Sequence, residues 1–453
     1  MREARGILKG CERLAVAALL ALAALPASAA TVIRDAEIEA TVRQIANPIF
    51  TAARLDPESI DIYLLRDDKL NAFVAGGQNL FLNTGLIIRT TDPDELAGVI
   101  AHETGHIAGG HLSRSQQAQS NAGLSSLAGV LLGAAAAVAG APQVGTAIMA
   151  GGLTVGQRDL LKFSRGQEQA ADQAGVTYLR ALQMSPQGLL DFFHVLETQN
   201  LRISSDGNEF LRTHPLTRDR ITFLEEQVAI SPYRDQHPSP ALQAAYERSV
   251  AKLDGFLSDP NQVLRQRTSD SVPDRYARAI AYYRLPDIPK ALALVDGLIA
   301  TAPKDPYFYE LKGQILFENG RIAESEPPYR EAVRYRPDSA LLRLGLARAL
   351  IEGGSDADVK EAGALLREVV RIEPLNPGAW RFLGIAEGKL GNEGLSSLAL
   401  TEQAVLLGNR KDAEFYLRRA EEHIDANDPE WLRLQDLSRA VEDIEEPPPR
   451  RRG

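Results

Sequence analysis

The stretch DPDELAGVIAHETGHIAGGH, residues 92–111, decides how the rest of the chain is read. Asp92 is a good helix N-cap and Pro93 suits the first helical position, so a helix is predicted from here through the histidines. His102 and His106 stand four residues apart and project from one face of that helix. Glu103 lies about 100° further round the axis. From there it cannot easily share a metal with the histidines, but it can reach a water on the metal's open side. Two neutral nitrogen ligands and a carboxylate for the water's proton are the parts of a zinc hydrolase, and H-E-x-x-H supplies them at this spacing. Gly105 costs the helix about 1 kcal/mol relative to alanine. Its missing side chain leaves room for close approach of a backbone or a substrate.

The motif requires a third ligand. His111 is nearest, but the pattern H-E-x-x-H-x-x-G-x-x-H places its last histidine ten residues after the first, where this chain has Leu112. His111 is one position early and reads as structural, capping or packing. Glu168, 62 residues beyond His106 in GQEQAADQAG, is the better candidate. Asp172, one turn later on the same helix face, would accept a hydrogen bond from the remote N–H of a metal-bound histidine. Ala170, Ala171, Ala174 and Gly175 let a second helix come close.

Outward from this site, 453 residues are too many for one ordinary core and imply two or three domains. A net charge of −10 argues against a nucleic-acid binder. Residues 1–30 are expected to be a cleaved signal peptide: Arg2, Arg5, Lys9 and Arg13 precede the apolar run LAVAALLALAAL (14–25), and PASAA (26–30) follows. That segment holds four cations against two acids, which leaves −12 on the rest, and its Cys11 is the chain's one cysteine. Export to an oxidising compartment fits a mature chain without thiols.

From Ser115 to Gln157 there are 43 residues with no charged side chain, split at Pro142 into two apolar halves too short to span a bilayer. A helical hairpin packed on the protein or lying against a membrane surface is expected. SIDIYLLRD (59–67) and NLFLNTG (79–85) alternate as strands do. Helices are predicted over 158–182 and near 186–200, and a loop over 204–220.

Prolines 303, 337 and 374 close segments 34 and 37 residues apart. Tyr309, Gly313, Leu316, Ser325, Tyr329, Ala332 and Pro337 fall where a tetratricopeptide repeat wants bulky, small and closing residues. Four copies are visible, enough to bury a continuous core. The expected organisation is a signal peptide (1–30), a zinc metallopeptidase domain (31–255), a tetratricopeptide-repeat domain (256–430) and a C-terminal tail (431–453). The fold class is mainly α: an α+β metalloprotease domain followed by an α-helical repeat solenoid.

NAFVAGGQNLFLNTGLI (71–87), DELAGVIAHETGH (94–106), EQAADQAG (168–175) and THPLTRDRI (213–221) together resemble the metallopeptidases of the CAAX-prenyl protease and HtpX type, in particular their periplasmic members with tetratricopeptide repeats. The resemblance covers nearly all of the chain after residue 30. It implies that the metalloprotease domain is of the gluzincin type, with one Zn2+ per chain held by His102, His106 and Glu168, Glu103 as catalytic acid/base and Asp172 behind a zinc histidine. It also implies that His214 either joins the metal as an inhibitory fourth ligand or swings out to stabilise the oxyanion. Arg220 is implied as a loop arginine that pairs with a nearby carboxylate. The expected function is periplasmic hydrolysis of misfolded or stalled outer-membrane proteins. The strand near Asn79–Asn83 would present an edge to the substrate, and the repeats would bind unfolded clients and the outer-membrane barrel assembly machinery. Peripheral membrane contact through 115–157 goes with this reading. The competing expectation is an interaction scaffold or chaperone whose zinc site is structural or latched.

Overall fold

The computed structural model describes residues 31–90, 92–111, 165–202 and 209–444. The expected signal segment 1–30 and the uncharged stretch 115–157 lie outside the described residues. Among the described residues no helix is long and apolar enough to cross a membrane.

The N-terminal unit is a small mixed sheet covered by helices. Strand β1 (Thr31–Ile33) leads into helix α1 (Ala36–Ala52), whose N-cap Asp35 accepts from the amides of Glu37 and Ile38. Strands β2 (Ile62–Arg66), β3 (Ala72–Ala75) and β4 (Asn79–Asn83) follow, and the sheet order is β1-β2-β4-β3. β2 and β4 run parallel, while β3 and β4 form a hairpin whose turn uses Gly76 and Gly77 at φ 59° and 96°. The alternation seen in the sequence sorts the side chains: Leu64, Val74, Leu80 and Leu82 enter the main core, and Tyr63, Phe73 and Phe81 stack on the other face. One expectation fails here. β4 is paired on both sides, so Asn79–Asn83 has no edge to offer, and among the described residues the open edge on that side belongs to β3.

Helix α2 (Thr84–Arg89) links the sheet to α3 (Pro93–Ala108), the helix of the motif. Asp92 caps α3 by accepting from the Asp94 amide at 2.8 Å. Then come α4 (Arg165–Ala181), α5 (Gln187–Arg202), α6 (Glu209–Thr213), α7 (Arg218–Ile230) and α8 (Pro240–Leu257). The predicted loop over 204–220 therefore carries a short helix before His214 and the start of another after Thr217. Turn residues such as Ser204, Ser205 and Gly207 masked the short apolar pattern of Phe210 and Leu211.

Helix α9 (Pro260–Gln266) opens the repeat region. Five helical hairpins follow: α10 (Val272–Arg284) with α11 (Ile288–Thr301), α12 (Pro306–Glu318) with α13 (Ile322–Tyr335), α14 (Ala340–Gly353) with α15 (Asp356–Ile372), α16 (Pro377–Lys389) with α17 (Glu393–Leu406), and α18 (Arg410–Glu421) with α19 (Trp431–Glu442). The small-and-bulky pattern has a direct cause. A Cβ on Gly313 would stand 2.8 Å from the Tyr329 ring and one on Gly345 2.9 Å from it, so one tyrosine wedges into two glycine notches. The tail expected from residue 431 instead begins with α19, which buries Leu434, Leu437 and Val441 against α17 and α18. An apolar period of only twelve residues after a polar loop is easily taken for tail.

Helix α8 joins the two halves. Tyr246 donates to the Ile87 carbonyl on the sheet side. Two turns on, Lys252 is buried among Asp35 at 2.7 Å, Glu310 at 3.3 Å and Glu37 at 3.5 Å. Arg248 bridges Glu37 and Asp305, and Tyr276 donates to Glu37 at 2.8 Å. Arg34 reaches Glu373 at 2.7 Å, and Ala36 packs with Ala332 and Leu342. The repeat array is thus fastened to the start of α1 by buried charge as well as by apolar contact.

Removing one member of such a cluster strands the others. Lys252→Ala is expected to destabilise the protein by roughly 3–5 kcal/mol, read by denaturant unfolding. The same seam responds to pH. Burial, opposed by Lys252, pushes the Glu310 carboxyl up to about 7 from 4.5. A carboxyl raised on folding stabilises below its unfolded pKa, and that contribution is lost as pH rises through the folded value. Melting temperature should therefore fall between about pH 5 and pH 7.5 on this account, and Glu310→Gln should flatten that slope.

Candidate metal centre

Helix α3 is buried on every side from Glu95 to Ile107, which an ordinary surface helix is not. Glycines make this possible. A Cβ on Gly105 would lie 2.8 Å from the Ala171 carbonyl oxygen, and one on Gly175 would lie 3.2 Å from the His102 nitrogen. Backbone thus meets backbone where α3 crosses α4. On another side, a Cβ on Gly98 would meet Leu189 of α5 at 2.6 Å. Of the small residues read from the sequence, Ala171 and Gly175 form the crossing, while Ala174 is half-buried and Ala170 is exposed.

That crossing sets Glu168 beside the two histidines. His102 Nε2 and His106 Nε2 are 3.2 Å apart, and His106 Nε2 is 3.4 Å from Glu168 Oε1. His214 Nδ1 stands 3.2 Å from Glu168 Oε1 and 3.4 Å from His102 Nε2. One ligand atom from each of these four residues lies within 4.8 Å of the other three, and all four residues are buried. Ligand arms of about 2.0–2.1 Å, as zinc takes to nitrogen and oxygen, give tetrahedral edges of roughly 3.3–3.4 Å. The observed separations match those edges, so the donor set fits a metal ion of that size.

Charge is arranged round the cluster. Burial would raise the Glu168 carboxyl, but the His214, His102 and His106 rings hold it well below the usual carboxylate range. Burial would lower His102, yet Asp172 and Glu168 pull it up to about 9. Desolvation keeps His106 well below its ordinary value, hence neutral and able to donate a lone pair. Burial raises the Glu103 carboxyl, partly offset by His214 and His102. Among the described residues neither Glu103 oxygen has a hydrogen-bond partner, although His214 Nε2 stands 3.5 Å from Oε1. A buried carboxylate left in this state is costly unless something uses it.

Asp172 accepts from His102 Nδ1 at 2.9 Å and from Arg220 Nε and Nη2 at 2.6 and 2.8 Å. Arg220 also donates to the Pro215 carbonyl at 3.0 Å, and its Nη1 lies 2.8 Å from Glu168 Oε2, without hydrogen-bond alignment. One guanidinium therefore ties both carboxylates of α4 to the loop that carries His214. The ring of His214 stacks on Phe210 at 4.5 Å. Sequence reasoning missed Phe210, though its place four residues before His214 was a usable signal. It also missed what His111 touches: its Nδ1 is 3.0 Å from His106 Nδ1.

A fold with H-E-x-x-H on one buried helix and an acid on the helix crossing it is that of a metallopeptidase, and comparison with known proteins agrees. Residues 33–228 match the model of Peptidase family M48, and residues 276–334 and 310–377 match that of the Tetratricopeptide repeat. The chain is thus a metalloprotease with an M48 peptidase domain and C-terminal tetratricopeptide repeats. It is 26% identical over 394 residues to the beta-barrel assembly-enhancing protease of Yersinia pestis, covering 85% of this chain and 79% of that one. With its namesake in Escherichia coli it shares 26% identity over 374 residues, covering 80% and 74%. The metalloprotease LoiP of Escherichia coli matches at 27% over 203 residues, 43% of this chain and 72% of LoiP. The family implies a metal cofactor, and the His/Glu cluster is a group of residues that could hold one.

Arg220 is 2% exposed and faces two acids. Arg220→Ala should cost roughly 3–5 kcal/mol in unfolding free energy by leaving those acids uncompensated. Arg220→Lys should recover little, because a single ammonium cannot reproduce the paired contacts to Asp172.

Proposed function

We propose that this protein is a zinc-dependent endopeptidase of the bacterial periplasm that acts on misfolded or stalled outer-membrane proteins, with the repeat domain holding the client. The observation that carries this reading is Glu103: a buried carboxylate with no hydrogen-bond partner among the described residues, placed beside the His102, His106 and Glu168 cluster. A purely structural metal site has no use for such a group. Two imidazoles and one carboxylate at tetrahedral spacing favour zinc over ions that prefer six oxygens. The expected signal peptide and the names of the relatives support an envelope location and a barrel-assembly role.

A bound zinc ion supplies Lewis acidity, lowering the pKa of water and polarising the scissile carbonyl. Glu103 takes the proton of the attacking water and delivers it to the leaving amine nitrogen. Burial raises its proton affinity, which suits a group that must take up a proton. Asp172 holds His102 in one tautomer by accepting from Nδ1. An extended substrate pairs with the open edge of β3, which packs against α3, rather than with β4.

His214 supplies the fourth donor atom of the cluster, and a metal ion held by all four residues would have no place left for water. This arrangement supports a latched resting state, with Arg220 anchoring the latch through the Pro215 carbonyl. Opening requires the loop to move His214 off the cluster. Digestion of an unfolded β-barrel protein by wild type, Glu103→Gln and His214→Ala tests both parts. Glu103→Gln should lower the rate by roughly 10²–10⁴-fold, and His214→Ala should cleave faster than wild type. Retained cleavage by the glutamine variant sinks the hydrolytic mechanism. Absence of any gain from the alanine variant sinks the latch.

A further inference from the structure

We infer that His111 is a positioning residue for His106, accepting a hydrogen bond from its Nδ1 and so fixing the tautomer that turns Nε2 toward the metal cluster. The inference rests on reading His102, His106 and Glu168 as the metal ligands.

His106 Nε2 faces the cluster, 3.2 Å from His102 Nε2 and 3.4 Å from Glu168 Oε1. Its other nitrogen, Nδ1, lies 3.0 Å from His111 Nδ1, with the rings edge-on at 75°. A neutral imidazole carries one N–H and one lone pair. For His106 Nε2 to present a lone pair, its Nδ1 must carry the hydrogen, and the bond to His111 makes that assignment favourable. His111 then accepts at Nδ1 and keeps its own hydrogen on Nε2. It touches the far side of the His106 ring from the cluster, so it does not join the ligand set that the local sequence suggested.

The chain is built to bring His111 there. Helix α3 ends at Ala108 with Gly109 as C-cap. Gly110 follows at φ 60°, the left-handed conformation that glycine adopts without strain, and it turns the chain back. A Cβ on Gly109 would stand 2.6 Å from His111 Nε2, so any other residue there would push the ring off His106. The His111 carbonyl accepts from Gln167 at 3.5 Å, beside Glu168 on α4. The side chain is 4% exposed, and no bulk water competes for the bond. The two histidines are therefore backed differently: His102 by a carboxylate already paired with Arg220, and His106 by a second imidazole.

Asparagine places its amide oxygen close to where histidine has Nδ1, and leucine has the same branching without an acceptor. Full-length wild type, His111→Asn, His111→Leu and His106→Ala are stripped with a chelator and titrated with zinc against a competing dye. Cobalt(II) spectra are recorded in parallel, and thermal melts of the metal-free proteins check folding. His111→Leu should weaken zinc by roughly 10–100-fold and alter the cobalt spectrum. His111→Asn should stay within about threefold of wild type, the range an intact acceptor allows. Equal zinc affinity in wild type and His111→Leu overturns the inference, as does an asparagine variant as weak as the leucine one. If wild type takes up no zinc, or His106→Ala binds it as tightly, the ligand assignment itself has failed, which is a different result. A measurement free of substitutions is the nitrogen-15 coupling between the two Nδ1 atoms across the hydrogen bond in the zinc form. Its presence supports the inference, and its absence overturns it.

Discussion

Two helices touch backbone to backbone at Gly105 against Ala171 and at Gly175 against Ala101, and the site depends on that contact. With ordinary side chains at the crossing, helix axes would stay 8–10 Å apart, and Glu168 would sit too far from His102 and His106 to complete a donor set. The glycine that costs α3 some helical propensity is what admits α4. Gly98 does the same for α5, so the motif helix is held from more than one direction in a dry interior. Within such an interior, a carboxylate or imidazole keeps a single orientation because packing leaves it no other.

That dryness creates an electrostatic problem, and Arg220 is the main answer to it. Glu168 and Asp172 are both fully buried on α4, one turn apart, where like charges repel. The guanidinium contacts both acids and also grips the Pro215 carbonyl of the loop behind His214. Position of the ligands and position of the loop are therefore coupled through one side chain. A similar arrangement recurs at the seam between the halves. There Lys252 and Arg248 on α8 balance Asp35 and Glu37 from the start of α1 against Asp305 and Glu310 from the repeats. Buried ion clusters specify geometry more than they add stability. Two of them in one chain hold the loop of His214 to Glu168 and Asp172 and the repeats to the peptidase unit.

Much of this was legible before any coordinates. The capped helix, the i, i+4 histidines, the acid 62 residues on and the 34-residue repeat are local or periodic features, and period is what a sequence displays. The crossing could also be read, because small residues clustered beside Glu168. The failures have a common cause. Asn79–Asn83 was given a free edge because alternation identifies a strand but says nothing about its neighbours. The segment after residue 430 reads as tail because the apolar period of Leu434, Leu437 and Val441 lasts only twelve residues and does not show that α17 and α18 lie there to cover it.

Residue type and spacing by themselves determined the chemistry: two imidazoles on one helix face, a carboxylate beside them, a second acid-bearing helix, and a repeat array behind. Only the tertiary structure decided which side chains complete that chemistry. His214 reaches the cluster across 112 residues, Arg220 spans 48 to Asp172, and Lys252 meets Asp35 and Glu310 from distant parts of the chain. His111 is the clearest case. Its position in the sequence tells against it as a ligand, but its role follows from the direction of one ring relative to another. That direction is set by Gly109 and Gly110 as the chain turns at the end of α3, and by packing on every side.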